Sequence, residues 1–181
     1  MNKERKTSYA AYAAWNYEKE EDRINEESKK GWQLVKGGCF HSVYEKNNSK
    51  RYIYKIDYNT ITMRDGEEKD RYIQMFEELG WDYINSTFNG WNYFKKAYDE
   101  NLDESEYEIY TDNTSYNEML ARWCKIGKVA LVVEVIGAIY YILSAIYLKN
   151  LTIGIMSIVF ILLAIWIKGG LTSMKNKLKM D

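Results

Sequence analysis

VALVVEVIGAIYYILSAIYL, residues 129–148, and LTIGIMSIVFILLAIWI, residues 151–167, are two apolar runs separated only by Lys149-Asn150. Crossing the hydrocarbon core of a bilayer takes roughly 20 apolar residues, within a range of about 17 to 25. Both runs fall in that window and carry a single charge, Glu134. The pattern predicts a two-helix transmembrane hairpin in contact with membrane lipid. Everything before it has the polarity of a water-soluble domain.

Charge divides the chain in the same way. Residues 1–121 hold 17 of the 25 Lys and Arg and 24 of the 26 Asp and Glu, a formal charge of -7, whereas residues 122–181 hold 8 basic and 2 acidic residues, a formal charge of +6. An acidic domain of this size is large enough for one hydrophobic core and argues against a nucleic-acid partner, because phosphate binding needs a basic face. Met1–Trp15 has a basic start but no apolar stretch behind it, so no secretory signal is expected and the hairpin itself must direct the chain to the membrane. Arg122, Lys125 and Lys128 precede the first run, Lys168, Lys175, Lys177 and Lys179 follow the second, and the turn between them offers Lys149 alone. By the positive-inside tendency this predicts a multi-pass protein of the cytoplasmic (inner) membrane with both termini cytoplasmic. Cys39 and Cys124 are then free thiols in a reducing compartment. Abundant Lys, Asn, Ile and Tyr with no proline point to an AT-rich genome, most simply a low-GC bacterium.

Within the soluble part an internal echo stands out. Lys30-Gly31-Trp32 closes one helical stretch and Leu79-Gly80-Trp81 another, offset by 49 residues. Helices are expected over about 18–30 and 67–79, each ended by a glycine, the residue that most readily adopts the left-handed conformation past a helix C-terminus. The second has Tyr72, Ile73, Phe76 and Leu79 at helical spacing; the first has little beyond Tyr17 and Ile24, so its docking should be weaker. Strands are expected over about 8–15, 32–44, 51–58, 82–88 and 91–96. The fold class is therefore α+β: a ferredoxin-like βαββαβ sandwich with an extra strand, one antiparallel sheet with both helices on one face, followed by the hairpin. The domains run 1–112 (soluble), 113–128 (linker helix), 129–168 (hairpin) and 169–181 (basic tail). Ser115 to Glu118 reads as a capping box that starts the linker helix near Tyr116 and carries it into the first span.

In the 52–58 strand, Tyr52, Tyr54, Ile56 and Tyr58 share one face while Ile53, Lys55 and Asp57 share the other. This aromatic stripe is either the core beneath the helices or an open binding face; the second reading makes Tyr52, Tyr54, Tyr58 and Trp91 binding residues, with Asp112 beside them. Paired glutamates such as Glu20-Glu21 point about 100° apart on a helix and read as a solvated face. No catalytic set, metal site or cofactor is expected: Cys39 and His41 lack further ligands, and no phosphate loop or nucleophile elbow is present. Glu134 is costly inside a span. It lies about 9 Å past Lys128 at 1.5 Å per residue and is placed to pair with Lys168; it either pins the hairpin or contacts another copy in a homo-oligomer, or else serves ligand sensing or ion coupling.

The motifs carrying a wider resemblance are Trp15 with Glu18–Asn25, Lys30-Gly31-Trp32-Gln33-Leu34, Tyr52–Tyr58, Leu79-Gly80-Trp81, Gly90–Lys96 and Ile109-Tyr110-Thr111-Asp112. In order and spacing the chain resembles the bacterial domain-of-unknown-function 2812 family, common in Firmicutes. That family has no assigned enzymatic activity, and the resemblance implies a regulatory accessory protein with a protein partner such as a PadR-type repressor or a transporter subunit. Lys95 stands where the family pattern leads one to expect arginine, which leaves anion binding there unsupported. The expected function is thus non-enzymatic, regulatory or sensory, through a protein or small-ligand contact. An enzyme acting on a lipid or cell-wall precursor through Asp57 or Asp112, and a self-associating structural or immunity-type membrane protein, are the alternatives.

Overall fold

The computed structural model describes residues 4–110 and 112–178. These divide into two units, Met1–Ser115 and Tyr116–Asp181.

The first unit is a βαββ arrangement used twice. Its first half comprises β1 (Arg5–Tyr9), α1 (Tyr17–Lys29), β2 (Trp32–Lys36) and β3 (His41–Lys46). The second comprises β4 (Tyr52–Tyr58), α2 (Glu67–Glu78), β5 (Asp82–Ser86) and β6 (Trp91–Ala97). Each half forms a three-stranded antiparallel sheet with the same order, β1-β3-β2 and β4-β6-β5. The details repeat as well. Gly31 and Gly80 end the helices at φ +80 and +82, and the pairing slips between Leu34 and Lys36 in one sheet and between Tyr83 and Asn85 in the other. The extra residues at these bulges, Val35 and Ile84, are 49 positions apart, the offset already seen at Gly-Trp.

This differs from the expected βαββαβ order in one sheet. The 32–44 stretch is two strands, because Gly37 and Gly38 turn the chain: a side chain on Gly38 would lie 2.7 Å from the His41 carbonyl oxygen. The partner of β2 is therefore β3, and β4 opens a second sheet. The first strand also ends at Tyr9 instead of continuing to Trp15, where the alanines of Ala10-Ala11-Tyr12-Ala13-Ala14 supply little of the branched or aromatic surface that strands favour.

Helix α2 packs in the usual way. Tyr72 and Phe76 meet Trp81, Phe94 and Ile109 in one buried cluster, flanked by Ile53 and Tyr83. Helix α1 docks differently. Its mean composition is polar, yet Glu21, Asn25 and Ser28 stand on one stripe at i, i+4 and i+7 and complete the hydrogen bonds of β4, the edge strand of its sheet. Glu21 accepts the Ile56 N–H (3.0 Å), Asn25 accepts the Tyr54 N–H (2.8 Å) and donates to the Tyr54 carbonyl (2.9 Å), and Ser28 accepts the Tyr52 N–H (3.1 Å) and donates to the Tyr52 carbonyl (2.7 Å). Three side chains thus stand in for a missing strand.

The position of Glu21 has a pH consequence. Burial pushes its carboxyl up to about 7, against the opposing effects of the Lys55 amine 3.1 Å away and the Ile56 N–H. A carboxyl that holds its proton more tightly in the folded chain than in the unfolded one favours folding most below its unfolded value, and that advantage is lost as pH rises through about 7. Folding stability should therefore fall by about 2 kcal/mol between roughly pH 4.5 and pH 7.5. Thermal melts of the full chain in detergent across that window check this, and Glu21→Gln should make the decline shallower without abolishing it, since Glu20 is shifted the same way.

The second unit is a helical hairpin of α3 (Asn113–Leu148), whose first three residues belong to the first unit, and α4 (Leu151–Lys175). Lys149 at φ +48 makes the turn, and Asn150 caps α4 by accepting the Thr152 N–H at 2.9 Å. Glycines allow close approach: Gly127 lies against Leu171, Gly137 against the ring of Phe160, and Gly154 against Ala145. Both helices are long and apolar enough to cross a membrane, with mean hydropathies of 2.2 and 2.4 over their most apolar stretches, of which 6% is buried. Val132, Ile136, Ile139, Leu143 and Ile146 are exposed on α3, as are Ile158, Leu162 and Ile165 on α4. A soluble monomer rarely leaves so continuous an apolar surface in water.

Candidate functional site

The repeat brings the far face of the second sheet against residues of the first half, and a cavity of about 60 Å³ remains there. A single helical turn at Ala14–Asn16 leads into α1 and points Tyr17 and Glu20, three residues apart, toward it. Strand alternation on β6 supplies Trp91 and Tyr93 from one face; Cys39 comes from the β2–β3 turn, Tyr12 from the segment before α1, and Asn89 from the turn before β6. Gly37 is held beside this wall: its N–H donates to Asn85 (2.8 Å), and the Asn85 amide donates back to its carbonyl (2.9 Å). A side chain at Gly37 would lie 2.5 Å from the Tyr93 ring, so glycine is what lets that ring take its place.

The walls are aromatic and one carboxylate faces them. Tyr17 stacks on Trp91 with centroids 5.3 Å apart, and Tyr58 meets Trp91 edge-on at 5.0 Å. The Tyr93 hydroxyl donates to Glu20 at 2.7 Å. Burial raises the Glu20 carboxyl above its ordinary value, opposed by the Tyr93 hydroxyl and by Arg23. Burial and the neighbouring Glu20 in turn push the Tyr93 phenol well above its usual range. Arg23 does not close an ion pair with Glu20; it donates to the Tyr12 hydroxyl at 3.2 Å and to Ser8. The Cys39 thiol donates to Asn89 at 3.2 Å, and burial raises it, which keeps it a thiol and a weak nucleophile.

Among the residues singled out from sequence, Tyr58 and Trp91 meet at this site. Tyr54 is fully buried, its hydroxyl accepting the Leu34 N–H (3.0 Å) and donating to Gln33 (3.1 Å). Tyr52 is half-buried with the Lys95 amine 4.8 Å from its ring centroid. The stripe is thus core, lying opposite the face that α2 covers, and it offers no open sheet surface. Asp112 is elsewhere: it accepts the Ser115 N–H at 2.6 Å, so it caps α3, which begins at Asn113 and not near Tyr116. Thr111 of the Ile109–Asp112 motif and Lys179 of the basic tail lie outside the described residues. Glu134 does not pair with Lys168; its Oε2 is buried without a hydrogen-bond partner. Among the described residues no three or more His, Cys, Asp or Glu side chains converge as a metal site would require, and His41 is exposed beside Tyr9.

Glu20, Tyr93, Tyr12 and Tyr17 were not singled out from sequence. Glu20-Glu21 read as a solvated face, whereas one carboxylate turns to the cavity and the other to the β4 edge. The available signal was their neighbourhood: both follow Tyr17, one of the few apolar residues that fix which side of α1 is buried.

The sequence profile of DUF2812, described as a protein of unknown function, matches residues 16–132. The chain belongs to this family. The match runs from the turn before α1 through the rest of the first unit and into α3, leaving out β1, and so contains the whole Glu20 wall except Tyr12, Ala13 and Ala14. No curated protein and no solved structure matches the chain.

Proposed function

We propose that this DUF2812 protein is a membrane-anchored accessory protein whose first unit, on the cytoplasmic side, binds a small ligand and acts on a protein partner such as a PadR-type repressor or a transporter subunit, with no reaction of its own. The observation that carries the reading is the Glu20 cavity: aromatic walls with a few convergent polar groups are what small-ligand sites are made of. Asp57, which an enzymatic reading would use, is fully buried and bonded to two tyrosine hydroxyls. Burial holds Cys39 as a protonated thiol, a weak nucleophile. Anchoring is supported by the two exposed apolar helices, and a cytoplasmic first unit by the basic residues at both outer ends of the hairpin against Lys149 at its turn.

The test is recovery of the tagged full-length protein from its bacterial host in mild detergent, with mass spectrometry of what accompanies it, beside Glu20→Gln. A repressor or transporter subunit should accompany the wild type, with a yield altered about fivefold or more by the variant. Recovery of the chain alone would remove the regulatory reading in favour of self-association.

A further inference from the structure

The cavity also indicates what kind of ligand it takes. Its boundary is a carboxylate surrounded by rings: Glu20 among Tyr12, Tyr17, Trp91 and Tyr93. Aromatic faces carry negative electrostatic potential and attract cations, most strongly when water is excluded, and rings arranged around an ammonium are a recurrent way of holding one. An anion would meet repulsion from both the rings and Glu20. A neutral ligand would add no counter-charge to the carboxylate.

Arg23 acts on Glu20 only from beyond ion-pair distance. Among the described residues no Lys or Arg nitrogen lies within ion-pair distance of it; the nearby guanidinium of Arg23 is engaged with Tyr12 and Ser8, and the one side-chain hydrogen bond to Glu20 comes from Tyr93. Its neighbour Glu21, one residue along, shows the contrast: there a buried carboxylate does have its lysine, Lys55, at 3.1 Å. A half-buried carboxylate with no ion pair of its own is costly, and an incoming cation relieves that cost. A volume of about 60 Å³ exceeds what a single water needs and is far below that of a drug-sized pocket, which sets the scale at a head group of a few heavy atoms.

We propose that the cavity bounded by Tyr12, Tyr17, Glu20, Cys39, Trp91 and Tyr93 binds a small organic ammonium ion, its charge held between the Glu20 carboxylate and the surrounding rings. This rests on the ligand-binding reading above and specifies the chemistry of the same site. A free amine and the amine head group of a lipid share that chemistry.

The test uses the full-length protein in dodecyl maltoside, with intrinsic fluorescence, to which Trp91 contributes as one of six tryptophans, recorded as methylammonium or tetramethylammonium chloride is added at constant ionic strength. Sodium chloride and tert-butanol, the uncharged counterpart of tetramethylammonium in shape, serve as controls. A saturable change with at least one ammonium salt and with neither control is expected, weakened about tenfold or more by Glu20→Gln, which keeps an acceptor for Tyr93 and so should fold. Repeating the titration in phosphatidylglycerol nanodiscs with and without phosphatidylethanolamine assigns the source: competition by the lipid marks a head group, unchanged affinity a free amine. Equal saturation by tert-butanol overturns the ammonium assignment while leaving a small-ligand site standing. No saturation by any probe, or undiminished binding in Glu20→Gln, also overturns it, and partner recovery, measured separately, decides whether the regulatory reading falls with it.

Discussion

Asp57→Ala is expected to cost about 4 kcal/mol of folding stability, the largest loss from any single polar substitution in the first unit. The Asp57 side chain is fully buried on the α2 side of the second sheet. The Tyr72 hydroxyl donates to one carboxylate oxygen and the Tyr110 hydroxyl to the other, the latter at 2.5 Å. Hydrogen bonds to an ionised acceptor are roughly twice as strong as neutral ones. Alanine would leave two buried hydroxyls without their acceptor, each costing about 1–3 kcal/mol. Burial, which the substitution leaves in place, is the main cause that holds the Tyr110 phenol well above its ordinary value, so that hydroxyl does not escape the problem by ionising. For a unit of this size the melting temperature should fall by roughly 15 °C, read by scanning fluorimetry of the full chain in detergent. Asp57→Asn retains an acceptor for one tyrosine and should lose about half as much. A shift of only a degree or two for the alanine variant would mean that the tyrosines have other acceptors to turn to.

The same constellation shows why some of this protein can be read from its sequence and some cannot. Gly31 and Gly80 announced two helix ends, and the 49-residue offset between them is real down to the bulges at Val35 and Ile84. These signals are local: a positive φ or a bulge is demanded by the residues that make it. The apolar runs at 129–148 and 151–167 were legible for the same reason, since length and hydropathy need no tertiary partner. The number of sheets was not legible, because Trp32 to Tyr44 has the composition of one long strand and only the close approach at Gly38 breaks it. Nor was the role of α1. With Tyr17 and Ile24 as its main apolar anchors it looked weakly docked, and the docking is done by Glu21, Asn25 and Ser28, three polar residues whose partners are backbone groups 24 to 35 positions away. Hydrophobic periodicity is blind to such a contact. Glu20 was hidden by the same charge run, and Asp112, which looked like a binding residue, is occupied in starting a helix.

Asn25→Ala should then be the second most damaging change, with a loss of about 3 kcal/mol. Tyr54 lies at the middle of the β4 edge, and the Asn25 amide satisfies both its N–H and its carbonyl, each within 2.9 Å. No other side chain can replace it: Ser28 and Glu21 are already committed one step either way along the strand, to Tyr52 and Ile56. Alanine would leave two backbone groups unpaired at the centre of an otherwise covered edge. Asn25→Asp separates the two halves of the interaction, because its carboxylate still accepts the Tyr54 N–H but cannot donate to the carbonyl, so it should cost less than alanine. Hydrogen exchange distinguishes this account from a general loss of packing. In the alanine variant the Tyr54 amide should exchange much faster, while amides of β6, whose ladder with β4 is intact, should change only by the global loss of stability. An exposed edge is also a template for another strand. The variant should therefore self-associate with rising concentration in light scattering, whereas Ile24→Val, which trims an adjacent fully buried side chain and leaves the edge covered, should lose about 1 kcal/mol and remain monodisperse. Uniformly faster exchange in both strands, or association by both variants alike, would show that α1 holds this sheet by packing alone.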